Sequence, residues 1–354
     1  MLMKTYIAKV TESNPDAKAI SMAVEALRSD GLVIFPTETV YGIGCNAFSS
    51  KAALKIFMVK NRPPDNPLIV HVSDMDMLGQ AVSEIPAAIM DNWKSFWPGP
   101  LTVILRKSER IPMEVTGGLD TVAVRIPSNR VALEIIRNLG SPVAAPSANI
   151  STKPSITDSR YAIKDFSGKV DVILDSGPSR YGLESSVIDI RKKRPLLLRS
   201  GAMTAEAISG IFGDLEIDNV ARGLETSSKP VSPGTKYRHY SPECPVFLVK
   251  DMELFRRINK TYMHDARLFF IGVSESMDKN TKKAFTLGKM NDLSQAGSLI
   301  FKGLRELDNS GCRIGIIHPF PEHHEGLAIM NRVRKASSGT ISSLEDLEFT
   351  LESL

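Results

Sequence analysis

Cysteine is scarce in this 354-residue chain: Cys45, Cys244 and Cys312 are its three, widely separated and without a CxxC pair. That excludes a disulfide framework and argues against a structural zinc site. Long apolar runs are missing, since none approaches the roughly 18 residues that a membrane helix needs. The segment from Met1 to Val10 carries Lys4 and Lys9 and lacks the apolar core of a signal peptide. The expectation is a cytoplasmic protein with no membrane partner. Charge of one sign is not in excess either. The chain has 44 Lys+Arg against 40 Asp+Glu, a formal +4, too little to make nucleic acid a necessary partner. Glycine-rich phosphate cradles are absent: there is no GxxxxGK[ST], and Gly42-Ile43-Gly44 lacks the third glycine of a dinucleotide fingerprint. Any nucleotide phosphates must be held by side chains.

What is present is the composition of a globular protein, 42% hydrophobic and 24% charged, with length enough for two cores. Asn14-Pro15 reads as a helix start, followed by the apolar stripe Ile20, Ala23, Val24 and Leu27 and closed by Gly31. Short apolar strands are expected at Leu32 to Phe35, Leu68 to Val72, Leu101 to Leu105, Val122 to Ile126, Val143 to Ala145, Val172 to Leu174, Ser186 to Ile190 and Leu196 to Leu198. Helical stretches such as Ala52 to Val59, Val131 to Leu139 and Thr204 to Phe212 separate several of them. The pattern is α/β with a mixed sheet, because some gaps are too short for a helical crossover. It breaks after Gly213, and residues 214–245 read as a long linker without periodicity. Alternation resumes over 246–354 as a small doubly wound α/β unit.

Polar residues gather at the ends of these strands. In Pro36 to Phe48 (PTETVYGIGCNAF), the first strand runs into Thr37, Glu38 and Thr39, where open α/β sheets bind ligands. A turn in which the threonines cap backbone groups fits equally well. In Lys60 to Val72 (KNRPPDNPLIVHV), Lys60 and Arg62 end a helix, and Pro63, Pro64 and Pro67 stiffen the loop, which suits a polyanion. His71 alone reads as a core histidine. Arg125 interrupts an apolar strand and needs a partner, either an acid of the fold or an anionic ligand. Ser147, Asn149, Ser185 and Arg199 stand at further strand ends. Together these termini suggest a cleft for a small polar anion. WPGPLTVIL reads as structural, Arg191 to Arg194 as a solvated hairpin, and Cys45 as a buried inert thiol. Pro321 to Glu325 (PEHHE) gives weak support for a metal site, since adjacent histidines point apart, and no protein metal site is expected.

PTETVYGIGCNAF, KNRPPDNPLIVHV, WPGPLTVIL, TVAVRIP, APSAN, GLESSVID and LLLRSG, in this order, resemble the L-threonylcarbamoyladenylate synthase family. SPGTKYRHYSP and GLAIMNRVRKAS resemble its long two-domain form. The resemblance implies that L-threonine, bicarbonate or carbon dioxide, and ATP give threonylcarbamoyl-AMP and pyrophosphate, a nucleotidyl transfer. A downstream transferase then modifies adenosine 37 of tRNAs reading codons that begin with A, direct tRNA contact by this chain being left open. It also implies a twisted catalytic sheet with a large basic cavity (1–213), a lid over that cavity (214–245) and a Rossmann-like domain (246–354). By motif, Thr39, His71, Arg125, Ala145 and Ser185 would contact threonine, with Arg125 gripping its carboxylate in bidentate fashion. Lys60, Arg62, Asn66, Thr121, Ser147, Ser155, Arg199 and Tyr237 would contact ATP. Lys60 and Arg62 would be catalytic, neutralising phosphates, and magnesium would be bound mainly through the nucleotide. Ser186, Ser200, Ile156 and Thr235 depart mildly from the family pattern. The rival reading is a double-stranded RNA-binding module with a concave basic surface, which would not require Thr39, Arg125 or Ser185.

Overall fold

The computed structural model describes residues 4–225 and 240–353, so Thr235 and Tyr237 lie outside the described residues. Two sheets organise the chain. The first contains β1 (Tyr6–Lys9), β2 (Val33–Phe35), β3 (Gly42–Asn46), β4 (Ile69–His71), β5 (Leu101–Arg106), β6 (Thr121–Arg125), β7 (Val143–Ala144), β8 (Val172–Asp175), β9 (Ser186–Asp189), β10 (Leu196–Arg199) and β11 (Glu216–Ile217). Their order is β1-β8-β2-β3-β7-β4-β6-β5-β9-β10-β11. Pairings are mixed: β4 runs parallel to β6, whereas β5 and β6 are antiparallel. The second sheet contains β12 (Val246–Val249), β13 (Leu268–Gly272), β14 (Ala284–Thr286), β15 (Ile314–Ile317) and β16 (Gly339–Ile341), in the order β14-β13-β15-β12-β16. Every pairing in it is parallel, as a doubly wound unit requires. Among the described residues no helix is long and apolar enough to cross a membrane.

Local chemistry explains where the elements depart from expectation. The first helix, Ala17–Arg28, starts after Pro15, because the Asp16 carboxylate caps it by accepting the Ala19 N–H at 2.7 Å. Its apolar stripe is buried, and Gly31 N–H returns to the Ala26 carbonyl at 2.7 Å. The segment read as a turn after Phe35 contains β3, paired antiparallel with β2 and β7. Its two glycines hide a strand from any propensity argument. The stretch after Gly213 is not featureless: β11 extends the first sheet along β10, and a short helix, Asn219–Arg222, follows. β14 carries no apolar pattern because it is a three-residue edge strand with two exposed positions.

The two units share a packed boundary. Val40 and Leu183 of the first unit lie in the same apolar cluster as Val246, Ile300 and Ile329 of the second. Asn331, on helix Glu325–Ala336, donates to the Val220 and Ala221 carbonyls at 2.9 and 3.0 Å. Arg305 pairs with Asp165 at 3.3 Å and donates to the Pro154 carbonyl at 2.6 Å. A tight backbone approach lies at Gly182, whose φ is +63° and where a Cβ would lie 2.4 Å from the Ser298 carbonyl oxygen. Gly182→Ala is therefore expected to lower stability by about 2–4 kcal/mol through overpacking and backbone strain. Urea denaturation checks this against Gly210→Ala, where nothing lies within 4 Å and stability is expected to hold or rise slightly.

Candidate functional site

The strand ends meet. Thr37 and Thr39 after β2, His71 at the end of β4, Arg125 at the end of β6, Ala145 after β7 and Arg199 at the end of β10 line one cleft. Lys60 joins them from the end of helix Ser50–Lys60, with Arg62, Ser147, Asn149, Glu184, Ser185 and Tyr240. The register accounts for part of this, because His71 sits directly beside Arg125 in the parallel β4–β6 pair. Of the expected site residues, Asn66, Thr121 and Ser155 do not line the cleft. Thr121 opens β6, four residues before Arg125 and so about 13 Å away along the strand. Asn66 is buried beside Arg62, with its Oδ1 lacking a hydrogen-bond partner. Ser155 is fully buried and donates to Glu184 Oε1 at 2.6 Å.

Arg125 has an acid of the fold as its partner. Its Nη1 pairs with Glu38 Oε1 at 2.8 Å, and Nη2 faces Thr37 and Thr39 Oγ1 at 3.2 and 3.1 Å. Its Nε donates to His71 Nε2 at 3.0 Å, which makes that nitrogen an acceptor and the ring neutral. Burial first, and then Arg125, push the His71 pKa well below its usual value. The guanidinium thus already makes four hydrogen bonds to protein acceptors, through Nε, Nη1 and Nη2.

The phosphate-side candidates lie across the cleft. Lys60 is buried, and its ammonium donates short hydrogen bonds to the Ser147 and Asn149 carbonyls. Burial and then Arg62 hold the Lys60 pKa well below the ordinary lysine value, a penalty that a bound polyanion would relieve. Arg62 is shaped by the proline loop, donating to the Asn66 and Pro67 carbonyls at 3.3 and 3.0 Å. Ser147 Oγ donates to Asn149 Oδ1 at 2.6 Å.

Ser185 and Arg199 form the third wall. Arg199 donates to the Ser185 carbonyl at 3.0 and 2.9 Å and to its hydroxyl at 3.0 Å, and that hydroxyl also meets Thr102 Oγ1 at 2.7 Å. Behind them lies a pair that the strand-end argument missed. Glu184 Oε2 accepts from Arg332 Nε and Nη2 at 3.0 and 2.7 Å, and Arg332 comes from the second unit. Burial raises the Glu184 pKa, but Arg332, Arg199 and the Ser155 hydroxyl outweigh it and bring the value down to about 2. Tyr240 was missed too. It is buried against the cleft, and its hydroxyl is pushed up to about 12 by burial and then by Glu184. Arg332 gave a weaker signal than Arg125, because Asn331, Arg334 and Lys335 surround it on the same helix.

Other segments fall outside the site. Trp97 is buried with its indole N–H on the Leu101 carbonyl at 2.7 Å. Cys45 is fully buried, and burial raises its thiol pKa. Arg191 pairs with Asp189 at 2.8 Å in the exposed turn between β9 and β10. His323 and His324 lie edge to face at 90°, and no group of three potential metal ligands occurs among the described residues. A duplex groove does not fit this cleft: Lys60, Arg125 and Arg199 are 1, 3 and 5% exposed, out of reach of a phosphate backbone that binds surface cations.

Comparison with known proteins adds to this geometry. A family model described as "Telomere recombination" (Sua5, YciO and YrdC) matches residues 25–201, and one described as "Threonylcarbamoyl-AMP synthase, C-terminal domain" matches residues 203–338. The chain is similar to threonylcarbamoyl-AMP synthase of Pyrococcus abyssi, 40% identical over 94% of this chain and 98% of the relative. The Bacillus subtilis threonylcarbamoyl-AMP synthase is 37% identical over 96% and 99%. A crystal structure of P. abyssi Sua5 complexed with L-threonine superposes with a TM-score of 0.89, covering 95% of this chain and 100% of the other at 39% identity.

The Glu184 shift has a measurable consequence. Its folded pKa lies below the ordinary 4.5, so the stability it contributes is complete above that value and is lost as pH falls through the folded value. The drop from 4.5 to about 2 corresponds to about 3 kcal/mol. Urea denaturation of the wild type and Glu184→Gln between about pH 6 and 2 should show the wild type losing about that much more stability than the variant.

Proposed function

Since the chain belongs to the threonylcarbamoyl-AMP synthase family, and so makes threonylcarbamoyl-AMP, we propose the following division of labour for its cleft. The reaction is a nucleotidyl transfer. The threonine amine adds to carbon dioxide, supplied as such or as bicarbonate, to give a carbamate. A carbamate oxygen then attacks the α-phosphorus of ATP and pyrophosphate leaves. Negative charge on both reactants is the obstacle, and buried cations in a narrow cleft are the remedy.

Lys60, Arg62 and Arg199 would face the triphosphate, with Ser147 beside them. Magnesium would arrive on the nucleotide as part of the substrate, because Glu38 and Glu184 are each held by an arginine. Threonine would lie between Thr39, His71, Ala145 and Ser185. Its carboxylate would take the remaining Nη1 N–H of Arg125, and a bidentate grip would require Thr39 or Glu38 to give way. Neutral His71 would accept from Arg125 and carry no competing charge. Of the other expected nucleotide contacts, Tyr237 would remain one, whereas Asn66, Thr121 and Ser155 stand outside the cleft. The catalytic unit takes in residues 1–213 and, through β11, the start of the segment expected as a lid at 214–245, and residues 246–354 are the second domain. The product would pass to a transferase that acts on adenosine 37 of tRNAs reading codons that begin with A, in the cytoplasm.

The observation that carries the reading is the convergence of Lys60, Arg62, Arg125 and Arg199 on one cleft with Thr39 and Ser185. Incubation with ATP, threonine and carbon-13 bicarbonate tests it, with mass detection of the labelled adenylate. Arg62→Ala is expected to cut its formation by about 100-fold or more, as loss of a transition-state charge partner does, with an unchanged circular dichroism spectrum. Near-normal pyrophosphate release by that folded variant would reject the role.

A further inference from the structure

Helix Glu325–Ala336 belongs to the second unit, yet one of its side chains reaches the back of the cleft. Arg332 is wholly buried and grips Glu184 Oε2 through two nitrogens, while its Nη1 donates to the Ser200 carbonyl. Glu184 lines the cleft, and its other oxygen takes the Ser155 hydroxyl. The backbone there has no slack. Ala202 N–H donates to the Glu184 carbonyl at 2.9 Å, and a Cβ on Gly201 would lie 2.3 Å from that same oxygen. The adjacent Ser185 meets Arg199 and Thr102. One arginine from the second unit therefore fixes the carboxylate whose neighbour forms the cleft wall.

We propose that Arg332 is a positioning residue: through Glu184 it sets the place and charge of the segment that presents Ser185 against Arg199, so that the second unit completes the threonine side of the cleft. The inference rests on the functional reading above. An arginine kept only for packing would need neither the two-nitrogen grip nor an acid on the cleft wall, and an ion pair this deep offsets its desolvation only through good geometry and further hydrogen bonds.

The charged and titratable groups facing Glu184 are Arg332 and Lys335 from the same helix, Arg199 from β10 and the Tyr240 hydroxyl. Lys335 is lowered to about 7, by burial first and then by Arg332 and Arg199, so it acts on the neutral and alkaline side of a pH profile. Glu184 governs the acid side. Without Arg332, burial acts on the carboxyl with less opposition, its pKa rises, and activity is lost as pH falls through the new value.

The test uses the full chain, with labelled threonylcarbamoyl-AMP formation measured against threonine concentration between about pH 5 and 9. Arg332→Met is expected to raise the threonine KM about tenfold or more while changing the ATP KM less than about threefold. It should also bring an acid limb into the measured range. Arg332→Met/Glu184→Gln should keep the raised threonine KM and lose that limb, which a purely structural role would not produce. A folded Arg332→Met with the wild-type threonine KM and pH profile overturns the inference. Should that variant fail to fold, the double variant is read in the same way, and a wild-type threonine KM in it overturns the inference. Wild-type protein that makes no labelled adenylate would defeat the functional reading, whereas active wild type with indifferent variants defeats this inference alone.

Discussion

The structure depends on satisfying cations that have been taken out of water. Arg125, Arg199, Arg332 and Lys60 are each 5% exposed or less, and an unpaired ion in such a position costs several kcal/mol. The fold meets the cost in different ways. Arg125 and Arg332 each have a carboxylate, Glu38 and Glu184, whereas the ammonium of Lys60 is held by two carbonyl oxygens. Cations paired with acids have most of their charge compensated within the fold, whereas one supported by carbonyl dipoles is compensated less completely.

The topology places these charges. A mixed sheet brings the carboxyl ends of parallel neighbours together, as His71 and Arg125 show, while antiparallel partners bring in loops from the other direction. His71, Arg125 and Arg199 thus each sit at the end of a short strand held on both sides. Apolar burial does the rest, and the boundary between the units has the character of a core, because Val40 and Leu183 pack among residues of the second unit. Both lie next to cleft residues, Thr39 and Glu184. Packing at the boundary and geometry in the cleft are therefore adjacent links of one chain of contacts.

Much of this was legible in the sequence because it follows from local rules. Strands such as Val122 to Ile126 are apolar runs bounded by turn residues, and Arg125 stood out as an ion in one of them. Other features were not legible. β3 was masked by its glycines, and β14 and β16 are short strands at the sheet edges with little burial pattern. Whether Arg125 met an acid or a ligand depended on Glu38, 87 residues away. Arg332 and Glu184 are 148 residues apart, and no periodicity links them. Asn66, Thr121 and Ser155 carried motif weight, but their motifs fix only the order of residues along the chain. Ser155 donates to the cleft-lining Glu184, a contact that only three-dimensional packing reveals.

The placement of β8 has a consequence for how the molecule is made. β1 and β2 do not pair with each other; each lies parallel to β8, Tyr6 and Val33 both finding Val172 as their register partner. A chain emerging from the ribosome amino end first thus leaves β1 without a partner, and one edge of the β2–β3 pair open, until a segment far downstream has been translated. Pairings of such long sequence separation form late and leave edges open meanwhile. The nascent protein has a long interval in which chaperone binding or misassociation can compete with closure of its first sheet.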